Sequence, residues 1–107
     1  MSDDEDIRSG LERTVAEYQM VSQQKAAITA QANELRNTLE HLKSQDENRP
    51  VFQQVGPILV EVEDVALLLG ELTESLEKIA VHETRLGVRE GELKSTYEQA
   101  VKQFEDA

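Results

Sequence analysis

The chain contains no cysteine and no tryptophan, and only four aromatic residues and two prolines among its 107 positions. Without cysteine, disulfides and thiolate metal sites are excluded. With aromatics at 4% and hydrophobic residues at 38%, a large globular core is out of reach. A narrow apolar seam between two helices is not. Both prolines, Pro50 and Pro57, fall in one short stretch, so the long segments on either side are free to be helical. Positive charge is also scarce. Eleven Lys and Arg face 22 Asp and Glu, for a formal net charge of -11. No basic stripe is present to displace the counterions of a phosphate backbone, which excludes nucleic acid as a partner. An anionic membrane surface would repel the chain. No apolar run approaches the length needed to cross a bilayer. The first residues, Met1-Ser2-Asp3-Asp4-Glu5-Asp6, are the opposite of a signal peptide's basic start, so a cytoplasmic location is expected. The acidity suits a basic protein partner or a high-salt cytoplasm.

Catalytic signatures are missing as well. No glycine-rich loop ends in Lys-Ser or Lys-Thr. His41 and His82 do not stand in a metal-ligand spacing and read as exposed helix residues. No serine has an evident base beside it. Neighbouring carboxylates such as Asp3-Asp4 or Glu61 and Glu63 read as solvated charge. The sequence predicts neither an enzyme nor a cofactor or metal.

What is present is a repeat. Counting by alternate threes and fours gives Leu11, Thr14, Tyr18, Val21, Lys25, Ile28, Ala32, Leu35, Leu39 and Leu42, apolar except at Thr14 and Lys25. The same count later gives Val65, Leu69, Leu72, Leu76, Ile79, Glu83, Leu86, Glu90, Leu93, Tyr97, Ala100 and Phe104, broken only at Glu83 and Glu90. Each is one seam of a left-handed coiled coil. Ser9 to Glu12 fits a capping box, so residues 1–8 are expected to be an acidic, frayed tail. Helix 1 is then expected over about 10–46 and helix 2 over about 65–105, with Asp64 as its N-cap. A short connection folds the two back antiparallel. That pairing sets Lys25 near Glu83 and Glu90, a polar pair that would fix the register. Gly70, Gly87 and Gly91 each cost helix 2 about 1 kcal/mol relative to alanine.

Between the helices, Val51-Phe52-Gln53-Gln54-Val55 and Ile58-Leu59-Val60-Glu61-Val62 read as two strands joined through Gly56-Pro57. Ile58, Val60 and Val62 share one face, which suits a sheet that packs inward. A lone hairpin is marginal in water and leaves two unpaired edges. The sequence therefore implies hairpins from several chains joining into one sheet. The residues after it, Val65-Ala66-Leu67-Leu68-Leu69, are apolar on more than one face and need a further covering. At the other end of the helices, Val15, Met20 and Val101 add apolar surface beyond the strict seam.

The stretch Val51-Phe52-Gln53-Gln54-Val55-Gly56-Pro57-Ile58-Leu59-Val60 closely resembles the hairpin pattern of beta-class prefoldin subunits. Tyr18-Gln19 and Gln23-Gln24-Lys25 resemble that family's glutamine-rich first helix. The resemblance runs from about Glu17 to Phe104. It implies a mainly α fold with residues 9–107 as a single domain, a long antiparallel two-helix coiled coil with one β-hairpin at the fold-back, and hairpins assembling into an intersubunit β-barrel. It implies an ATP-independent chaperone subunit of a hexamer, with alpha-class prefoldin subunits and further beta-class copies as partners. Such a hexamer binds unfolded client proteins at its coiled-coil tips and transfers them to a group II chaperonin. On that basis Val51, Phe52, Val55, Gly56, Pro57, Ile58, Val60, Val62, Leu67 and Leu68 would serve assembly. Leu11, Val15, Tyr18, Val21, Tyr97, Val101 and Phe104 would line the client-binding tip. Ordinary seam packing competes with client contact at Leu11, Tyr18, Tyr97 and Phe104.

Two other readings suit a coiled coil with no chaperone activity. One is a regulatory finger that brings acidic residues such as Asp46 and Glu47 into a polymerase channel. The other is a purely structural scaffold subunit. A finger would need a tight turn where this sequence places a β-branched hairpin.

Overall fold

The computed structural model describes residues 2–106. The element order is α1 (Ser2–Ser44), β1 (Phe52–Val55), β2 (Ile58–Glu61) and α2 (Val65–Asp106). The fold is therefore mainly α, with one antiparallel hairpin between two long helices.

α1 begins eight residues before the expected start. Ser9 lies inside the helix and the capping box is not used. Two physical reasons account for this. Asp3, Asp4 and Glu5 occupy the first turn, where carboxylates are favoured by the positive end of the helix dipole. Ile7 is half-buried four residues before Leu11, so the seam simply continues backwards. α1 also stops at Ser44, short of the expected residue 46. Its last turn tightens as the Gln45 N–H donates to the Leu42 carbonyl at 3.3 Å. The Ser44 hydroxyl meanwhile donates to the His41 carbonyl at 3.1 Å. In the connection that follows, the Asp46 carboxylate accepts from the Asn48 N–H at 2.9 Å and the Arg49 N–H bonds the Asp46 carbonyl. These bonds form a local turn that leads to Pro50.

The hairpin pairs Phe52 with Glu61, Gln53 with Val60, Gln54 with Leu59 and Val55 with Ile58. A further backbone bond from Val62 N–H to the Val51 carbonyl, at 2.8 Å, extends the ladder by one pair. The two-residue loop has φ +60° at Gly56 and no positive φ at Pro57. Those signs are those of a type II′ turn, which matches the twist of the strands and requires glycine at its first central position. α2 then starts as expected. The Asp64 carboxylate accepts from the Leu67 N–H at 3.0 Å, a normal N-cap bond.

Two compact units can be distinguished. One comprises residues 30–80, with the hairpin, and the other residues 1–29 with 81–107. In both units the alternating seam positions are the covered ones. Every one of the ten α1 seam residues from Leu11 to Leu42 is buried or half-buried, Thr14 and Lys25 included. On α2 all but Tyr97 and Phe104 are covered. Among the described residues only Val21, Ala32, Leu39 and Leu93 are fully buried hydrophobics. So few buried side chains suit a two-helix seam rather than a globular core.

Gly91 has nothing within 4 Å of the place where a Cβ would stand. Gly91→Ala is therefore expected to stabilise α2 by about 1 kcal/mol, read as a rise in the thermal midpoint by circular dichroism. An unchanged or lowered midpoint would mean that the glycine answers a need not visible in this packing.

Candidate functional site

The hairpin unit presents apolar side chains on both faces of a two-stranded sheet. The pairing puts Val55, Ile58 and Val60 on one face and Phe52 and Leu59 on the other. All five are exposed, from 44% at Val60 to 69% at Leu59. The inward packing expected of this sheet is therefore not made within the single chain. Among the described residues no side chain buries it, because the helices spend most of their apolar residues on the seam. Val51 and Val62, where the strands meet the connections, are half-buried. Around them Thr38, His41, Leu42, Gln45 and Pro50 join Val51 and Phe52 to line a shallow hollow. Just past the hairpin Leu67 is 60% exposed, whereas Leu68 is half-buried. Gly56 and Pro57 form the exposed turn. Each strand keeps one edge without a backbone partner, since the sheet has only these two strands.

The unit of residues 1–29 and 81–107 contains a polar cluster set into the seam. The Ser22 hydroxyl donates to Glu90 Oε2 at 2.7 Å, and Lys25 Nζ lies 3.3 Å from Glu90 Oε1. The Lys25 stem passes over Gly87, with Cε and Nζ each 3.7 Å from the position a Cβ would take. Of the two partners expected for Lys25, Glu90 makes the pair. On an adjoining face Arg89 reaches across to Glu17 at 2.6 Å and along its own helix to Glu92 at 3.4 Å. The seam spacing marked Lys25 and Glu90. Nothing in it marked Ser22, Glu17 or Arg89, because those positions flank the seam and are set by the length of the side chains.

The Ser22 hydrogen bond, and after it Lys25, hold the Glu90 carboxyl below the usual glutamate range. A lowered folded-state pKa adds stability that is complete above the unfolded-state value of about 4.3 and is lost as pH falls through the folded one. Glu90→Gln is therefore expected to lose stability at pH 7 yet to lose less than the parent as pH falls from there to below about 4.3. Melting curves at both ends of that range test this. Parallel pH profiles for the two proteins would contradict it.

Beyond the cluster the same unit carries an apolar groove. Val15, Tyr18, Gln19, Lys94, Tyr97 and Glu98 line its larger part, about 410 Å³. Leu11, Glu12 and Ala16 extend it on the far side of Val15 and Tyr97. Of the expected tip residues, the fold brings Leu11, Val15, Tyr18 and Tyr97 to this groove. Val101 is half-buried and Phe104 exposed, and neither lines it. Val21 is only 8% exposed and belongs to the seam, so a role in direct client contact is withdrawn for it. Gln19 and Glu98 were missed by the seam count. Gln19 follows Val15 by one turn and Glu98 follows Lys94 by one turn, so both were legible from helical spacing once Val15 and Lys94 are taken as groove residues. Among the described residues no group of His, Asp or Glu is arranged to hold a metal ion. No described helix is long and apolar enough to cross a membrane.

A family model for the prefoldin subunit matches residues 6–106. The chain belongs to the prefoldin subunit family. That is a family of chaperone subunits, not of enzymes. Two curated relatives are named prefoldin subunit beta. The one from Thermoplasma acidophilum is 29% identical over 76 residues, covering 71% of this chain and 61% of its own length. The one from Thermoplasma volcanium is 28% identical over 79 residues, covering 74% and 64%. The chain thus spans less than two thirds of these relatives. The crystal structure of the prefoldin beta subunit from Thermococcus strain KS-1 superposes with a TM-score of 0.89, covering 99% of this chain and 92% of that one at 22% identity. The likeness extends the prefoldin fold to the whole helix–hairpin–helix arrangement, including the N-terminal turns that the sequence pattern alone left out.

Proposed function

We propose that this prefoldin-family chain is a subunit of an ATP-independent holdase. Its hairpin joins those of alpha-class subunits and further beta-class copies in a hexamer, through an intersubunit β-barrel. The hexamer binds unfolded proteins at the groove-bearing ends and hands them to a group II chaperonin in the cytoplasm. The observation that carries this reading is the hairpin. Five exposed apolar side chains on two faces, with two open edges, form a surface suited to pairing with other subunits of like kind. Val51, Phe52, Val55, Gly56, Pro57, Ile58, Val60, Val62, Leu67 and Leu68 serve this assembly. Leu11, Val15, Tyr18 and Tyr97, with Val101 and Phe104 nearby, offer clients apolar surface. Several weak grooves acting on one client add through multivalency, so no single site needs to be tight.

The polymerase-finger reading gains no support here. Asp46 is engaged in its own turn, and the connection is a β-hairpin rather than a tight acidic tip.

Co-expression with an alpha-class prefoldin, followed by light scattering, is expected to give a particle of about six subunits. That particle should suppress the aggregation of thermally unfolded citrate synthase without ATP. A monomer or dimer in the presence of the partner would overturn the assembly reading. A hexamer without suppression would overturn the holdase reading.

A further inference from the structure

The groove-bearing unit has an uneven charge distribution. In residues 14–29 and 81–96 there are four acids, Glu17, Glu83, Glu90 and Glu92, against four bases, Lys25, Arg85, Arg89 and Lys94. That stretch is neutral, and Glu17, Glu90 and Glu92 are each ion-paired or bonded to one of those bases. In residues 2–13 and 97–106 there are eight acids, Asp3, Asp4, Glu5, Asp6, Glu12, Glu98, Glu105 and Asp106, against three bases, Arg8, Arg13 and Lys102. None of these eight carboxylates forms an ion pair among the described residues. The whole acidic excess of the unit therefore lies at its groove-bearing end, and it lies there unneutralised.

The groove sits at the inner margin of this acidic end. Its floor is apolar, formed by Leu11, Val15, Tyr18 and Tyr97. Glu12 lines it from α1 and Glu98 from α2, so carboxylates approach it from both helices. Among the described lining residues the one cation, Lys94, stands four residues beyond Glu90 on the same helix, and its charge acts on that carboxylate.

Resting on the client-holding reading, we infer that this groove selects among clients by charge. It takes unfolded segments in which apolar side chains alternate with Lys or Arg, in preference to otherwise equal segments carrying Asp or Glu. The apolar floor supplies contact for Leu- or Phe-like side chains. The Glu12 and Glu98 carboxylates supply complementary charge. Charges of this kind act on choice of partner and on capture rate more than on final affinity. They also discriminate by repulsion, since an anionic segment must bring its carboxylates against Glu12 and Glu98.

The test uses the hexamer formed with an alpha-class partner and two rhodamine-labelled peptides. Both carry the same Leu-Phe pairs separated by Ser-Gly; one bears four Lys and the other four Glu. Fluorescence anisotropy in 50 mM salt is expected to show the Lys peptide binding roughly tenfold tighter. The ratio should fall towards one at 0.5 M salt as screening shortens to a few ångströms. Glu12→Gln with Glu98→Gln should cut the ratio severalfold. Glu71→Gln with Glu77→Gln, which removes the same charge from exposed sites in the hairpin unit, should leave it unchanged. Equal loss in both double variants would overturn the inference, because the preference would then come from the net charge of the whole particle. Equal binding of the two peptides would overturn it while leaving client holding intact. A fully assembled hexamer that binds neither peptide would overturn client holding itself, and the charge preference with it.

Discussion

Val60→Asp is expected to abolish assembly while leaving the chain helical. Val60 pairs with Gln53 across the hairpin, shares its face with Val55 and Ile58, and is exposed in the single chain. No helix seam depends on it, so the far-UV spectrum should keep its helical minima. In an assembled sheet the same position becomes a buried one. A carboxylate placed there without a partner costs several kcal/mol, and a cost of that size lowers the association constant by more than ~100-fold. The expected result is a light-scattering mass that falls from about six subunits to one or two. Val60→Thr, which keeps the branched shape and adds no charge, should assemble. A Val60→Asp protein that still formed the full oligomer would mean that the hairpin faces solvent in the assembly, and the barrel reading would be abandoned.

Leu93→Ala is expected to have the largest effect on the stability of the groove-bearing unit. Among the described residues of that unit only Val21 and Leu93 are fully buried hydrophobics. Truncating a buried leucine removes its transfer free energy and leaves a cavity, for a loss of about 2–4 kcal/mol. In a domain of this size that loss lowers the melting midpoint on the order of 10–20 °C. Hydrogen exchange locates the damage. Amides of residues 14–29 and 81–96 should lose protection, while those of the hairpin keep theirs. A change below about 0.5 kcal/mol would put Leu93 with ordinary surface positions and require the unit to be held mainly by its polar cluster.

The sequence was legible where one physical rule dominates. A seam repeats every three and four residues because side chains on one helix face must meet another helix, and all ten positions counted on α1 are covered in the structure. The same rule placed Lys25 beside Glu90. The hairpin was legible from β-branched residues around a Gly-Pro turn, and Asp64 from its place before an apolar helix. Other features were set by choices that no single rule decides. The start of α1 was read from a capping box at Ser9, but a cap signal inside a longer compatible pattern is only an option, and Ile7 with three acidic residues outweighed it. Three β-branched residues on one face point to a covered sheet, yet they do not say whether this chain or another covers it, and within the single chain both faces stay exposed. The opposite face carries Phe52 and Leu59, and helices that use most of their apolar residues on each other have few left to cover either. Tyr97 and Phe104 fit the seam count yet stand 41% and 43% exposed. A large ring at the margin of a narrow seam keeps much of its surface in water.

Among the described residues only four hydrophobic side chains are fully buried, two in each compact unit. In a compact globule nearly every core position restrains every other, so surface chemistry and stability are hard to change separately. Here the restraint is local. Tyr18 and Tyr97 belong to one compact unit and the strand pair at residues 52–61 to the other, so each can vary within its own unit. Duplicated copies of such a gene could keep one docking platform and diverge in what they catch, so that a single particle presents several different specificities side by side.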